Sequence, residues 1–122
     1  MGNRQVKLTF ECDNCMMLVL RMTTVGVLTQ VSMALDRVDE IKLAVDEAAK
    51  QFLAAAGARK LMAEYTAAED GLHIVIGTED GSPIAPNADE WMVLLCVLES
   101  MGCEVKVWGG ENPHALELIC CA

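Results

Sequence analysis

The sequence predicts a two-layer α+β sandwich, in which a mixed, mostly antiparallel sheet carries three helices on one face. Three observations lead to this fold class. Segments of alternating apolar and polar residues mark strands, apolar residues at helical spacing mark helices, and clusters of Gly, Pro, Asn and acidic residues separate them. The elements follow in the order β, α, α, β, β, α, β, β. The length of 122 residues fits one domain spanning residues 1–122.

The first strand and the first helix are predicted close to the start of the sequence. Apolar and polar residues alternate over residues 6–10, as in a half-buried strand. Asp13 or Asn14 can then cap a helix that extends to about residue 33. This helix is apolar on nearly all sides, which is typical of a helix buried between layers or between subunits. We therefore expect the domain to form a homodimer.

The remaining elements follow from caps, turns and periodicity. Asp36 can cap a second helix that ends at Gly57. Strand-like segments at 59–67 and 72–78 are separated by the turn sequence AEDG. After a loop rich in Gly, Pro and acidic residues, a short buried helix is stopped by Gly102. The segments CEVKVW and HALELICC, joined by the turn GGENP, are predicted as the last two strands.

The charge distribution disfavours some classes of partner. The net charge is −9, and residues 61–122 contain one basic residue, Lys106, against eleven acidic ones. Such a surface repels polyanions, so we expect no nucleic-acid partner. The first residues lack the apolar run of a signal peptide, and the most apolar stretch is interrupted by polar residues. We therefore expect a cytoplasmic protein with no membrane segment.

The six cysteines raise the alternative of a thiol or zinc protein. Cys12 and Cys15 form a CxxC motif, but zinc needs two further ligands, and the other cysteines and histidines lack ligand spacing. Reduced, buried thiols are the expected state in a cytoplasmic chain. We predict no metal site, and we expect the adjacent Cys120 and Cys121 to complete a strand.

A polar pair on the second helix is the first candidate for chemistry. Glu47 precedes Gln51 by four residues, so both side chains project from one helical face. A solvated polar stripe is the simplest interpretation of such a pair. A binding site is the alternative, and other residues of the chain must support it.

A resemblance to a known family supports a site here. The order of elements, together with VKLTF, VDEIKLAVDEA, LESMGCEVKVW and ALELI, resembles the bacterial anti-sigma-factor serine kinases of the histidine-kinase-like ATPase superfamily. The resemblance covers nearly the whole chain and is strongest over residues 38–49. In that family a Glu acts as general base, and an Asn four residues later holds the Mg²⁺ that bridges the ATP phosphates. The resemblance places Glu47 at the base position and Gln51 at the Asn position, where the longer amide suits octahedral Mg²⁺ poorly.

The second motif of the family is an Asp-x-Gly whose Asp contacts adenine. In one register, the resemblance places Thr78 at the Asp position and Asp80 at the Gly position. A shift by one residue instead offers Glu79 and Gly81 as a Glu-x-Gly. A plain turn is the alternative interpretation of this segment.

The third motif of the family is a glycine-rich loop whose backbone amides contact the phosphates. The resemblance places Met92 and Leu94 at glycine positions, where bulky side chains would occupy the phosphate space. Asp89 and Glu90, at the start of the same helix, would repel a triphosphate. Acidic residues at a helix start also have a simpler role, because they complement the helix dipole.

All three nucleotide motifs are therefore altered together. The resemblance implies a histidine-kinase-like ATPase fold that has lost or nearly lost ATP binding, so no cofactor is expected. Its implied function is that of a regulatory domain that binds a sigma factor or an anti-sigma-factor antagonist. The alternative within the family is an active serine kinase that uses MgATP, with Glu47 as its base. A purely structural subunit is a further alternative.

Overall fold

The order of elements in the computed structural model is the predicted one. The structure describes residues 4–31, 33–56, 59–69 and 71–120, and within these ranges it contains five strands, three α-helices and one 3-10 turn. The strands are β1 (Arg4–Phe10), β2 (Leu61–Ala68), β3 (Gly71–Thr78), β4 (Glu104–Trp108) and β5 (Ala115–Cys120). The helices are α1 (Met17–Leu28), which follows the 3-10 turn Asn14–Met16, α2 (Leu35–Ala55) and α3 (Ala88–Ser100).

The sheet has the strand order β1-β2-β3-β5-β4, and all four pairings within the described residues are antiparallel. The expectation of a mixed sheet is therefore wrong. Two helices lie between β1 and β2 in the chain. The chain therefore reverses its direction three times, and β2 runs antiparallel to β1. The single helix α3 sends β4 in the same direction as β3, but β5 lies between these two strands. No parallel pair forms for that reason.

The helices cover one face of the sheet and build the core with it, as the two-layer prediction requires. The central helix α2 buries its inner face completely, with side chains such as Ile41, Ala48 and Phe52 at 0% exposure. From the sheet, Ile74 of β3 and Leu118 of β5 point into the same core. Burial of this aliphatic surface is the main force that holds the two layers together.

Two helix boundaries differ from the prediction. The helix α1 ends at Leu28 instead of about residue 33, because the Thr29 hydroxyl donates to the Gly26 carbonyl and the chain turns through short i−3 hydrogen bonds. The helix α2 begins one residue before Asp36, which lies in the first turn instead of at the cap. Its predicted stop, Gly57, lies outside the described residues. Gly102 ends α3 as predicted, in a left-handed conformation with φ of 77°.

A buried hydrogen bond joins α1 to the sheet. The hydroxyls of Thr24 and Tyr65 lie 2.7 Å apart, and Thr24 donates its single proton to the Leu20 carbonyl at 2.9 Å. Tyr65 is therefore the donor to Thr24. Burial raises the pKa of Tyr65 to about 12, because it disfavours the charged phenolate.

Candidate functional site

The predicted pair on α2, Glu47 and Gln51, lines a cavity of about 380 Å³ between α2 and α3. Its described lining residues are Glu47, Gln51, Asp89, Glu90, Val93, Leu94 and Val97, and we call this space the α2–α3 cavity. Glu47 and Gln51 reach it from one face of α2, as their spacing predicts. Residues of α3 form the opposite wall.

The wall from α3 is set by the cap of that helix. The Asn87 side-chain oxygen accepts a hydrogen bond of 3.1 Å from the Glu90 backbone N–H, which fixes the start of the helix. Asp89 and Glu90 consequently lie in the first turn, near the positive end of the helix dipole. Val93 and Val97 follow Glu90 on the same face, at spacings of three and seven residues.

The α2–α3 cavity is acidic on both sides. Glu47 contributes a carboxylate from α2, and Asp89 and Glu90 contribute two from α3. Among the described lining residues there is no basic side chain. Lys50 pairs with Glu47 at 3.2 Å, but it projects along the exposed side of α2 and does not line the cavity. A polyphosphate in this space would meet net negative charge.

The predicted phosphate-loop positions separate in the structure. Leu94 is almost fully buried and fills the base of the α2–α3 cavity. Met92 is exposed on the outer face of α3, beside Cys96, and does not line this cavity. The sequence interpretation missed Val93 and Val97, although their spacing from Glu90 marks the same helical face.

The predicted adenine-contacting segment forms a turn whose polar groups bond to each other. The Thr78 hydroxyl donates to the Ser82 carbonyl at 2.7 Å, and the Asp80 carboxylate accepts from the Ser82 N–H at 2.9 Å. Hydrogen bonds from the Ser82 side chain and from the Ser82 N–H lower the pKa of Asp80. Gly81 supplies the left-handed residue of the turn, and Glu79 is exposed. None of these four predicted residues is among the described residues that line the α2–α3 cavity.

The CxxC cysteines do not assemble a metal site. Cys12 is half-buried and its thiol donates to the Leu53 carbonyl at 3.4 Å, whereas Cys15 is exposed. Burial, together with the charge of Asp13, raises the pKa of Cys12. The described part of the chain holds no group of three or more His, Cys, Asp or Glu side chains placed to hold a metal ion. The expectation of buried thiols fails at Cys15 and Cys96, which are both exposed.

A second surface of the molecule is apolar. Leu18, Val19 and Met22 lie on the outer face of α1 and are 63%, 39% and 66% exposed, and we call them the α1 strip. Beside the strip, an apolar groove of about 360 Å³ separates α1 from the edge of the sheet. The described residues that line this α1–sheet groove are Val6, Thr23, Gly26, Val27, Gln30, Val31, Tyr65 and Ala67. Apolar surface of this kind is typical of protein-binding faces.

Comparisons with known proteins leave the chain without an assigned family. No protein-family model matches the sequence, and no curated protein matches it either. Within the described residues, no helix is both long enough and apolar enough to cross a lipid bilayer.

Proposed function

We propose that this chain is a regulatory protein-binding domain of the anti-sigma-factor kinase type that no longer uses ATP. Its partner is a sigma factor or an anti-sigma-factor antagonist, and it acts as a homodimer in the cytoplasm. The observation that carries the proposal is the α2–α3 cavity. It lies between the helices to which the resemblance assigns the family's catalytic and phosphate-loop positions, and its described lining consists of three carboxylates, the Gln51 amide and aliphatic side chains, without a cation.

The residues of the α2–α3 cavity do not fit MgATP. Three carboxylates, from Glu47, Asp89 and Glu90, face the space that four phosphate charges would enter. Leu94 fills a position where the family has glycine, so backbone amides cannot approach a phosphate there. Gln51 carries its amide one methylene further from α2 than an Asn would, which displaces a ligand from octahedral geometry.

The turn after β3 supports the same proposal. In the family, a carboxylate at this place contacts adenine, so it must project away from its own turn. Here the Thr78 hydroxyl, at the Asp position of one register, donates to the Ser82 carbonyl, and Asp80 accepts from the Ser82 N–H. Glu79, at the Asp position of the shifted register, is exposed. The Thr78 hydroxyl therefore serves the local turn, which favours the simpler interpretation of the segment.

The α1 strip supports the protein-binding part of the proposal. Three large apolar side chains stand on one helical face, at positions where a helix that served only its own sheet would carry polar residues. The α1–sheet groove continues this surface, because Thr23 in its lining follows Val19 by one helical turn. A second copy of the chain would cover both, which accounts for the expected homodimer.

One observation favours the kinase as a second candidate. Glu47 and Gln51 line one cavity large enough for part of a nucleotide, and the Glu47 carboxylate is partly exposed to solvent. An active serine kinase would need this arrangement at the base position. The two candidates differ in a measurable outcome, the transfer of phosphate.

The experiment that separates them is intact-mass spectrometry after incubation with MgATP. Both the purified chain and the proteins that copurify with it are measured, with Glu47→Ala as the matched variant. We expect no phosphate on any of them. A phosphate adduct that forms with the wild type and is lost in Glu47→Ala would establish the kinase and refute the proposal.

A further inference from the structure

Two cysteines face each other at the edge of the sheet. Cys103 precedes β4 and Cys120 is the last residue of β5. The β4–β5 register pairs Glu104 with Ile119, so one step further along it sets Cys103 opposite Cys120. Their sulfur atoms lie 3.7 Å apart, and both residues are buried, at 4% and 0% exposure. A disulfide needs about 2.05 Å between sulfurs, a gap that rotation of two side chains closes.

A cation lies beside this pair of thiols. The Arg37 guanidinium, at the start of α2, donates to the carbonyls of the two residues that precede Cys103. The hydrogen bond with Cys120 and the positive charge of Arg37 lower the pKa of the Cys103 thiol to about 7, against the effects of burial and of the Glu40 carboxylate. The lowered pKa favours the Cys103 thiolate, which is the form that reacts.

We propose that Cys103 and Cys120 form a redox-modifiable pair, which a hydroperoxide closes into a disulfide between the start of β4 and the end of β5. The geometry carries the proposal: the two thiols are in contact, in register and held by the sheet. The oxidant is a small hydroperoxide, because burial of both sulfurs excludes bulky disulfides. The site is separate from the α2–α3 cavity, and it stands whether or not the chain binds ATP.

The reaction balances in two steps. The Cys103 thiolate attacks one peroxide oxygen, the O–O bond breaks, and the second oxygen leaves as hydroxide, which gives a sulfenic acid on Cys103. The Cys120 sulfur then attacks the Cys103 sulfur, the S–S bond forms, and the sulfenic hydroxyl leaves with a proton as water. Two electrons pass from the thiols to the peroxide. The two thiol protons end in the two water molecules that hydrogen peroxide yields.

The test is peptide mapping of the full-length chain after oxidation by hydrogen peroxide at neutral pH, with remaining thiols blocked by an alkylating reagent. Before alkylation, we expect the intact mass to fall by two hydrogens, and four of the six cysteines should stay alkylatable. The crosslink should join the peptides of Cys103 and Cys120. The same crosslink should form in Cys121→Ser, which removes the neighbouring thiol, and in Cys96→Ser, which removes an exposed one.

Two further measurements keep the proposal falsifiable where a variant destabilises the sheet. In the wild type, the rate of disulfide formation should rise with pH around an inflection near 7, the titration of Cys103, instead of near that of an ordinary thiol. Cys103→Ala should give no disulfide at Cys120. A crosslink between Cys12 and Cys15 alone, or Cys103 recovered unmodified at full oxidation of Cys15, would overturn the proposal.

Discussion

The α1 strip and the α2–α3 cavity are both accessible surfaces on the helical layer, but their chemistry is opposite. The strip presents large apolar side chains without a polar group, whereas the cavity presents three carboxylates and an amide above an aliphatic base. The free energy falls when another protein covers apolar surface. It rises when a carboxylate is desolvated or meets an anion. In our proposal, association is therefore the task of α1, and phosphate binding is a task of neither surface.

The largest effect is expected from charge on the α1 strip. The double variant Leu18→Glu, Met22→Glu should weaken self-association by about 100-fold or more, since central apolar side chains at interfaces contribute about 2 kcal/mol or more each. Both side chains are exposed, so the melting temperature at a concentration where the wild type is monomeric should stay nearly unchanged. Sedimentation equilibrium measures the association.

Leu35→Glu is the matched control for that experiment. Leu35 is 84% exposed and lies in the first turn of α2, outside the α1 strip. Its substitution should leave the dissociation constant of the homodimer within about two-fold of the wild-type value. A wild type that sediments as a monomer at high concentration, or equal losses in both variants, would show that the strip does not mediate self-association.

A smaller effect is expected on the inner side of α1, where Tyr65 bonds to Thr24. The pKa of Tyr65 is raised to about 12, so between pH 10 and 12 the unfolded chain releases a proton that the folded chain retains. The free energy of unfolding should therefore fall as pH rises through this window, at a slope that approaches about 1.4 kcal/mol per pH unit. Because the chain has one tyrosine, its phenolate absorbance reports Tyr65 directly.

Tyr65→Phe sharpens that prediction. At neutral pH the variant should lose about 1 kcal/mol, the contribution of one buried hydrogen bond, and Thr24 keeps its bond to the Leu20 carbonyl. Above pH 10 the difference between the wild type and the variant should shrink and then change sign, because the variant has no phenol to titrate and only the wild type loses stability across this window. A constant difference in the free energy of unfolding from pH 7 to 12, measured by urea denaturation, would contradict the buried state of this hydroxyl.

The smallest effect is expected at Glu47. Its contact with Lys50 is an exposed ion pair on one helix, so Glu47→Ala should change the free energy of unfolding by no more than about 0.5 kcal/mol. Partner binding and self-association should be unchanged, since Glu47 belongs to the α2–α3 cavity and not to the α1 strip. Reduced association in Glu47→Ala, with the fold intact by circular dichroism, would contradict the claim that the α2–α3 cavity and the α1 strip have separate roles.

Local patterns predicted most of the fold. Alternation, caps and turn residues are signals between neighbours in sequence, so they identify each strand and helix. Gly102, which follows the end of α3, is one such local signal. The end of α1 was missed because apolar residues continue beyond Leu28, while the Thr29 hydroxyl turns the backbone. The wholly antiparallel sheet was missed because the position of β5 between β3 and β4 depends on contacts between residues that are distant in sequence.

The candidate site was predictable only in part. Spacing along α2 places Glu47 and Gln51 together, and the same rule on α3 would have added Val93 and Val97. The sequence left the segment at 78–81 open between a plain turn and an adenine contact, and the hydrogen bonds of Thr78 and Asp80 to Ser82 favour the plain turn. The contact between the thiols at the ends of β4 and β5 requires the strand order and register, so it could not be seen before the sheet was assembled.

The measurement that tests the central claim most directly is calorimetric titration of the chain with MgATP, with Glu47→Ala and Gln51→Ala as matched variants. An acidic cavity with a filled phosphate position and a displaced amide should give no saturable heat up to millimolar nucleotide, and the variants should be indistinguishable from the wild type. Saturable binding in the micromolar range that either variant abolishes would contradict the account and identify the α2–α3 cavity as a working nucleotide site.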